Sequence, residues 1–358
     1  MNPRERVLAV LNRKTVDRLP VDLWYTPEVQ AGLQAHTGTA SELALCDALK
    51  LDKIVWIFPD YRAGGAKAGG QAGAGATGER SAWGVPLKTM ETGGATYHEV
   101  AQAPLAGAST VAEIERYPWW PDPDGFDFAG AAAKARAASG RYATIGPWVS
   151  CLEIYCQLRG LEEAMIDLAV EPELVEAALD RIEDLQTRMM RRFFAETKGH
   201  LDLCFVSDDI AGQSSLLLSP VAWKRHLEPR LRRWCDLIHG AGLKVFYHTD
   251  GAAYPLIAPL IDCGIDVFNP IQHVCPGMEL GRLKKEFGRD VIFHGGVDTQ
   301  SALPFGSVED VRKETSSCLE LLGAGREGYI CASCHNVQPG TPVENILAMI
   351  ETVHHYAS

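Results

Sequence analysis

Eight short β-type runs, each followed by a stretch of helical patterning, constrain this chain more than any other feature. They fall at residues 18–24, 53–58, 142–146, 201–206, 244–247, 266–269, 291–294 and 328–332. Repeated strand–helix units of this number favour an α/β fold with parallel strands closed into a (β/α)8 TIM barrel. A doubly wound sheet is the competing arrangement. However, no Gly-x-Gly-x-x-Gly follows a strand-like run, and the glycines between 64 and 75 precede no helical pattern.

Parallel α/β folds build their sites at the C-terminal ends of strands. Here those ends carry Asp22 and Tyr25, Asp60 and Arg62, Trp148 and Glu153, Asp208 and Asp209, His248 and Asp250, Asn269 and Gln272, His294 and Asp298, and His335, Asn336 and Gln338. A closed barrel brings them to one mouth. The fifth run, Lys244-Val-Phe-Tyr-His-Thr-Asp-Gly251, is the most informative. Alternation along a strand puts His248 and Asp250 on one face and Thr249 on the other, and Gly251 releases the chain into a turn. A lone histidine at a strand end is structural more often than not; the similar endings of the other runs argue otherwise here.

Zinc accepts imidazole nitrogen, thiolate and carboxylate oxygen, and a catalytic site uses about three protein ligands. His248, Asp250 and His335 form the best trio. Cys331 and Cys334 make a Cys-x-x-Cys with no second pair, a weak zinc signal whose other reading is two small residues behind the wall. If the last strand stays extended, Cys331, Ser333 and His335 share one face. Without a metal, His248 or His335 is a general acid.

At 358 residues with 46% hydrophobic content, the expectation is a single barrel domain spanning 1–358. Residues 60–140 form an insertion after the second strand, near the mouth. Within it 63–76 reads as a mobile loop and 81–105 as a hairpin. A net charge of −12 argues against nucleic acid or an anionic membrane surface as partner. No apolar run approaches a membrane span, the N-terminus lacks a secretory pattern, and ten cysteines fit free thiols in a reducing cytoplasm. A homodimer is the default oligomer.

Five segments carry a resemblance: RERVLAVLNRKTVDRLPVD at the start, GPWVSCLEIYCQLRGLEEAMIDL, SDDIAGQSSLLLSPVAWKRHLEPRL, HTDGAAYPLIAPLIDCGIDVFNPIQ and the terminal CHNVQPGTPVENI. In these the chain resembles the uroporphyrinogen decarboxylase superfamily, in its corrinoid (cobalamin)-dependent methyltransferase-like branch. The resemblance implies a (β/α)8 barrel. The decarboxylases carry an arginine-rich loop after the first strand, whereas this chain reads Leu23-Trp-Tyr-Thr-Pro-Glu-Val29 there. Holding a polycarboxylate without fixed cations is costly, so porphyrinogen itself is a poor substrate. The methyltransferases carry zinc on His-x-Cys after strand five and on a late cysteine. This chain has His248-Thr249-Asp250 and His335 at those places, which replaces soft thiolates by harder donors.

The resemblance therefore implies an O-demethylase-type methyltransferase. It would take a methyl group from a methoxylated, aromatic substrate and pass it to the Co(I) corrinoid of a partner protein. His248, Asp250 and His335 would supply the metal or proton, with Glu153 as a further ligand candidate. Asp208 and Asp209 would join the catalytic set or orient the substrate, which Tyr25, Trp148, Asn269, Gln272 and Asn336 would bind. Trp24, Trp83 and Tyr247 are further aromatic candidates. The alternative is a lyase decarboxylating a smaller carboxylated substrate; a catalytically idle binding barrel is a third reading.

Overall fold

The computed structural model describes residues 1–62 and 80–356, so the loop expected at 63–76 lies outside the described residues. Nine strands form among these: β1 (Ile54–Trp56), β2 (Leu87–Thr92), β3 (Ala95–Val100), β4 (Ala143–Val149), β5 (Leu203–Ser207), β6 (Lys244–His248), β7 (Val267–Asn269), β8 (Ile292–Val297) and β9 (Tyr329–Ser333). Seven of them pair in parallel in the order β1-β4-β5-β6-β7-β8-β9, with helices in the connections. The curled sheet is TIM-barrel-like.

The first expected strand is extended but is not a regular ladder strand. Val21 bridges Cys331 and Tyr25 bridges Val337, both in parallel, while the Asp52 N–H donates to the Val21 carbonyl at 2.7 Å. Residues 20–25 thus touch both β9 and the segment entering β1. Two carboxylates explain the irregularity. Asp52 accepts the Val21 N–H at 3.0 Å, and Asp22 accepts those of Leu23 at 2.8 Å and Ile54 at 3.4 Å. Side chains have captured donors that a ladder would otherwise use.

Strand parity divides the core. Ile54, Ile145, Leu203, Phe205, Phe246, Val267, Ile292 and Ile330 point inward and pack with Trp24. The helix Pro3–Leu11 plugs this interior with Val7, Val10 and Leu11. Its start is fixed by a capping box: Asn2 Oδ1 accepts from the Glu5 N–H at 2.9 Å and the Asn2 N–H donates to Glu5 at 2.8 Å. Alternate residues, among them Cys204, Tyr247, Phe268 and Cys331, face the outer core. The long helix Pro172–Glu196 buries Val175, Leu179, Ile182, Met190 and Phe193 along one face. No helix among the described residues is long and apolar enough to cross a membrane.

Between β1 and β4 lies the antiparallel hairpin of β2 and β3. It turns at Gly93–Gly94, where φ values of 58° and 82° suit glycine. Thr96 N–H donates to Glu28 at 3.3 Å and the Tyr97 hydroxyl bonds Gln338, which ties the hairpin to chain that follows two C-terminal strand ends.

Asp52 is fully buried, paired with Arg6 and with Arg18 at 2.6 Å. Removing one partner of a buried ion pair strands the others, at about 3–5 kcal/mol. Asp52→Ala is expected to lose about that much unfolding free energy in urea titration. A loss below about 1 kcal/mol, the range of a surface pair, would show that the Asp52 joint is dispensable.

Candidate metal and active site

His248 ends β6, and the four residues from it to Gly251 form a lip stitched to its neighbours. Thr249 turns outward: its N–H donates to the Asn269 carbonyl at 2.9 Å and its hydroxyl accepts from Ile210 at 3.1 Å. The Asp250 N–H donates to Asp209 at 3.0 Å, and the Gly251 N–H to Gln272 at 2.6 Å. Gly251 sits at φ 85°, where a Cβ would lie 2.3 Å from the Gly212 carbonyl oxygen, so only glycine fits.

The chain bends after Ser333 and brings His335 across to this lip. The donor atoms of His248, Asp250 and His335 lie within 4.8 Å of one another. His335 Nε2 is 3.8 Å from Asp250 Oδ2, and the two imidazole centroids are 5.9 Å apart. These residues fit a metal on two counts. Asp250 Oδ1 is buried with no hydrogen-bond partner. His248 Nδ1 is 2.6 Å from Asn269 Oδ1, an acceptor, so Nδ1 carries the proton and Nε2 is left with its lone pair. Burial lowers the His335 pKa, with Asp250 pulling it back up.

The same bend corrects the expectation that Cys331 and His335 share a face. Cys331 faces the outer core, and Cys334 is buried with its thiol 3.1 Å from the Ile271 carbonyl. Burial raises both thiols, Cys331 to about 12, and neither belongs to the cluster.

Four aromatic rings lie beneath the cluster. Trp24 stacks on His248 at 5.8 Å, and Phe205 lies 5.6 Å from it. Trp56 packs edge-on to Phe205 at 4.7 Å, and Phe246 stacks with Trp24 at 6.1 Å. Phe58 stacks on Trp56 at 5.3 Å and, with Trp148, lines an adjoining apolar pocket that also includes Trp83, Leu185 and Met189. Trp56, Phe58, Phe205 and Phe246 were missed in the sequence, although residues two apart from inward-facing positions carry the signal.

Parity also moves Tyr25 off the site. Trp24 faces the interior, while Tyr25 packs on the outer core and bonds Glu42 at 3.1 Å. Tyr247 is likewise outward and buried. Asn269 and Gln272 are buried and hold the lip, so their side chains are committed to protein partners instead of substrate. Asn336 is half-buried, its carbonyl accepting from Gln338 at 3.0 Å.

Among the acids, Asp208 is corrected from a reacting group to an anchor. It is buried and accepts from the Ser150 hydroxyl at 2.7 Å and from the N–H groups of Leu152, Glu153 and Cys151 at 2.6, 3.1 and 3.3 Å. It thereby fixes the start of the helix Leu152–Arg159. The Glu153 N–H also donates to the Ser150 hydroxyl at 3.1 Å. Burial pushes the Asp208 carboxyl up to about 6 against these donors. Glu153 lies outside the three-residue cluster. Burial, with Asp209 and Asp208 nearby, raises its carboxyl to about 8, so it is protonated at neutral pH. Asp209 is exposed and holds the Asp250 N–H.

The arrangement defines a barrel protein with a nitrogen- and oxygen-donor cluster at the C-terminal ends of its strands, above an aromatic floor. The family model "Uroporphyrinogen decarboxylase (URO-D)" matches residues 85–356. The chain belongs to the uroporphyrinogen decarboxylase family. Curated relatives include the uroporphyrinogen decarboxylase of Thermus thermophilus, 27% identical over 51% of this chain and 50% of that one. The Schizosaccharomyces pombe enzyme is 28% identical over 43% and 42%. The chain thus matches about half the length of the first of these relatives. Among solved structures, a methyltransferase from Methanosarcina mazei superposes with a TM-score of 0.69 at 18% identity, covering 99% of this chain and 98% of that one, a likeness of fold.

Glu153 generates a pH signature. Its folded pKa of about 8 lies above its ordinary 4.5, so between those values the folded state holds a proton the unfolded state has released. Stability from this group is therefore lost as pH rises from about 4.5 to about 8. Glu153→Gln, which mimics the protonated acid, is expected to flatten that segment of the stability–pH curve measured by urea titration. An unchanged slope would mean Glu153 ionises normally.

Proposed function

We propose that this chain is a methyltransferase of the O-demethylase type, taking the methyl group from a methoxylated aromatic compound and passing it to the Co(I) corrinoid of a partner protein. The observation that carries the reading is the convergence of His248, Asp250 and His335 above stacked aromatic rings, at a mouth whose first-strand loop has no arginine. Arg62, the next arginine in the chain, is exposed and paired with Asp127. The fold shared with the Methanosarcina mazei methyltransferase is in keeping with this branch of the family.

His248 Nε2, a His335 ring nitrogen and the Asp250 carboxylate would hold a zinc ion. When bound, it supplies Lewis acidity toward an ether oxygen, suited by a donor set without thiolate. The protein's own residues do the rest. The rings of Trp56, Phe58 and Trp148 receive an aryl group by stacking and exclude water from it. Glu153, beside Asp209, keeps a proton at neutral pH that can neutralise a leaving phenolate. The hairpin of β2 and β3 would serve within an insertion over the mouth.

The family model and the curated relatives favour a second reading, decarboxylation. The substrate would then have few carboxylates, because the cations that hold many are missing from the first loop.

The two readings differ in what turnover needs. Purified protein with a reduced corrinoid protein and a panel of methoxylated aromatics is expected to yield the phenol and the methylated corrinoid. His248→Ala and His335→Ala should each lose zinc and at least ~100-fold in activity, more than disturbing a ligand's neighbour costs. Cys331→Ser and Cys334→Ser should keep both. Turnover with tetrahydrofolate as direct acceptor, or full zinc in His335→Ala, would overturn the proposal. Carbon dioxide release without metal or corrinoid would favour the second reading.

A further inference from the structure

We propose that Asp22, on the opposite side of the barrel interior, is the positioning residue that decides which nitrogen of His248 is free. Three hydrogen bonds join them through buried side chains. His294 Nε2 lies 3.2 Å from Asp22 Oδ2, Asn269 Nδ2 lies 2.8 Å from His294 Nδ1, and His248 Nδ1 lies 2.6 Å from Asn269 Oδ1. Asp22, Asn269 and His294 are fully buried and His248 is nearly so.

Each link fixes the next. A carboxylate only accepts, so His294 must present an N–H from Nε2. A neutral His294 then accepts at Nδ1, and only the amide nitrogen of Asn269 can donate to it. Asn269 Oδ1 is therefore turned to His248, and His248 must donate from Nδ1. The lone pair of His248 is left on Nε2, the nitrogen not used by Asn269. Reversing the chain would set the lone pair of His294 against the Asp22 carboxylate.

Asp22 can dictate this direction because it is held as an anion. The Lys53 ammonium lies 3.6 Å from Oδ1 and is itself fixed by the Leu23 carbonyl at 2.7 Å. Leu23 N–H and the Trp24 indole N–H, at 2.8 and 3.0 Å, occupy its two oxygens. The proposed function enters only in the use made of the free nitrogen; the direction of the chain does not depend on it.

Long-range 1H–15N correlation of the histidine side chains tests this in the metal-free full-length protein at about pH 8, above the ordinary histidine range. The expected spectrum has His248 in the Nδ1–H form and His294 in the Nε2–H form. In Asn269→Leu, which removes the relay, His248 should move to the Nε2–H form or a mixture, and zinc affinity by direct titration should fall by about 10–100-fold. Asp22→Asn, whose amide can donate to His294, should shift His248 the same way, with His335 unaffected. A His248 found as Nε2–H in the unmodified protein overturns the inference. So does an unchanged His248 signal in Asn269→Leu, which decides the matter even where Asp22→Asn does not fold. If the tautomers follow the expected pattern while no variant or parent binds zinc, the positioning chain stands and the metal reading falls.

Discussion

The ionised carboxylate of Asp22 inside the barrel is the constraint on which the structure turns. Burial alone would raise its pKa; Lys53 and His294 outweigh that and hold it at about 2. With its charge secured, Asp22 organises the joint between residues 20–25 and β1, and Asp52 reciprocates from the segment entering β1. The barrel wall is continued there by two anions and their cations in place of a regular ladder. Such an arrangement survives burial only because nearly every lone pair has a donor.

Carboxyl groups in this barrel hold very different affinities for a proton. Asp22 stays near 2, Asp208 rises to about 6 and Glu153 to about 8. The cause in each case is the balance of burial against donors. Asp22 has an ammonium and four N–H groups, and Asp208 has one hydroxyl and three N–H groups. Glu153 has only a distant Gln157 amide at 3.4 Å and two like charges beside it. This spread gives one chain a permanent anion, a structural anchor and a neutral acid.

Much of this was legible in the sequence. Short apolar β-type runs, each followed by helical patterning, marked the strands of the parallel sheet. The trio of His248, Asp250 and His335 could be named because strand ends converge in a barrel, though nearly ninety residues separate its members. What escaped depended on partners remote in sequence. Nothing local tells that Asp52 will take the Val21 N–H, that Asp208 will cap a helix beginning some fifty residues earlier, or that Asn269 will be spent between two histidines. Tyr25 was a different error: parity already favoured Trp24 as the inward ring.

The route from Asp22 to His248 also runs the other way. Coupling between two sites is reciprocal, so whatever holds His248 in its Nδ1–H form also favours the rotamer of Asn269 and the tautomer of His294 that Asp22 requires. Among the described residues, the backbone-to-backbone link from Val21 to the entry of β1 is the single bond from Asp52. A ligand captured at the mouth would therefore tighten the joint where the barrel closes, and a seam that loosens would release its hold on that ligand.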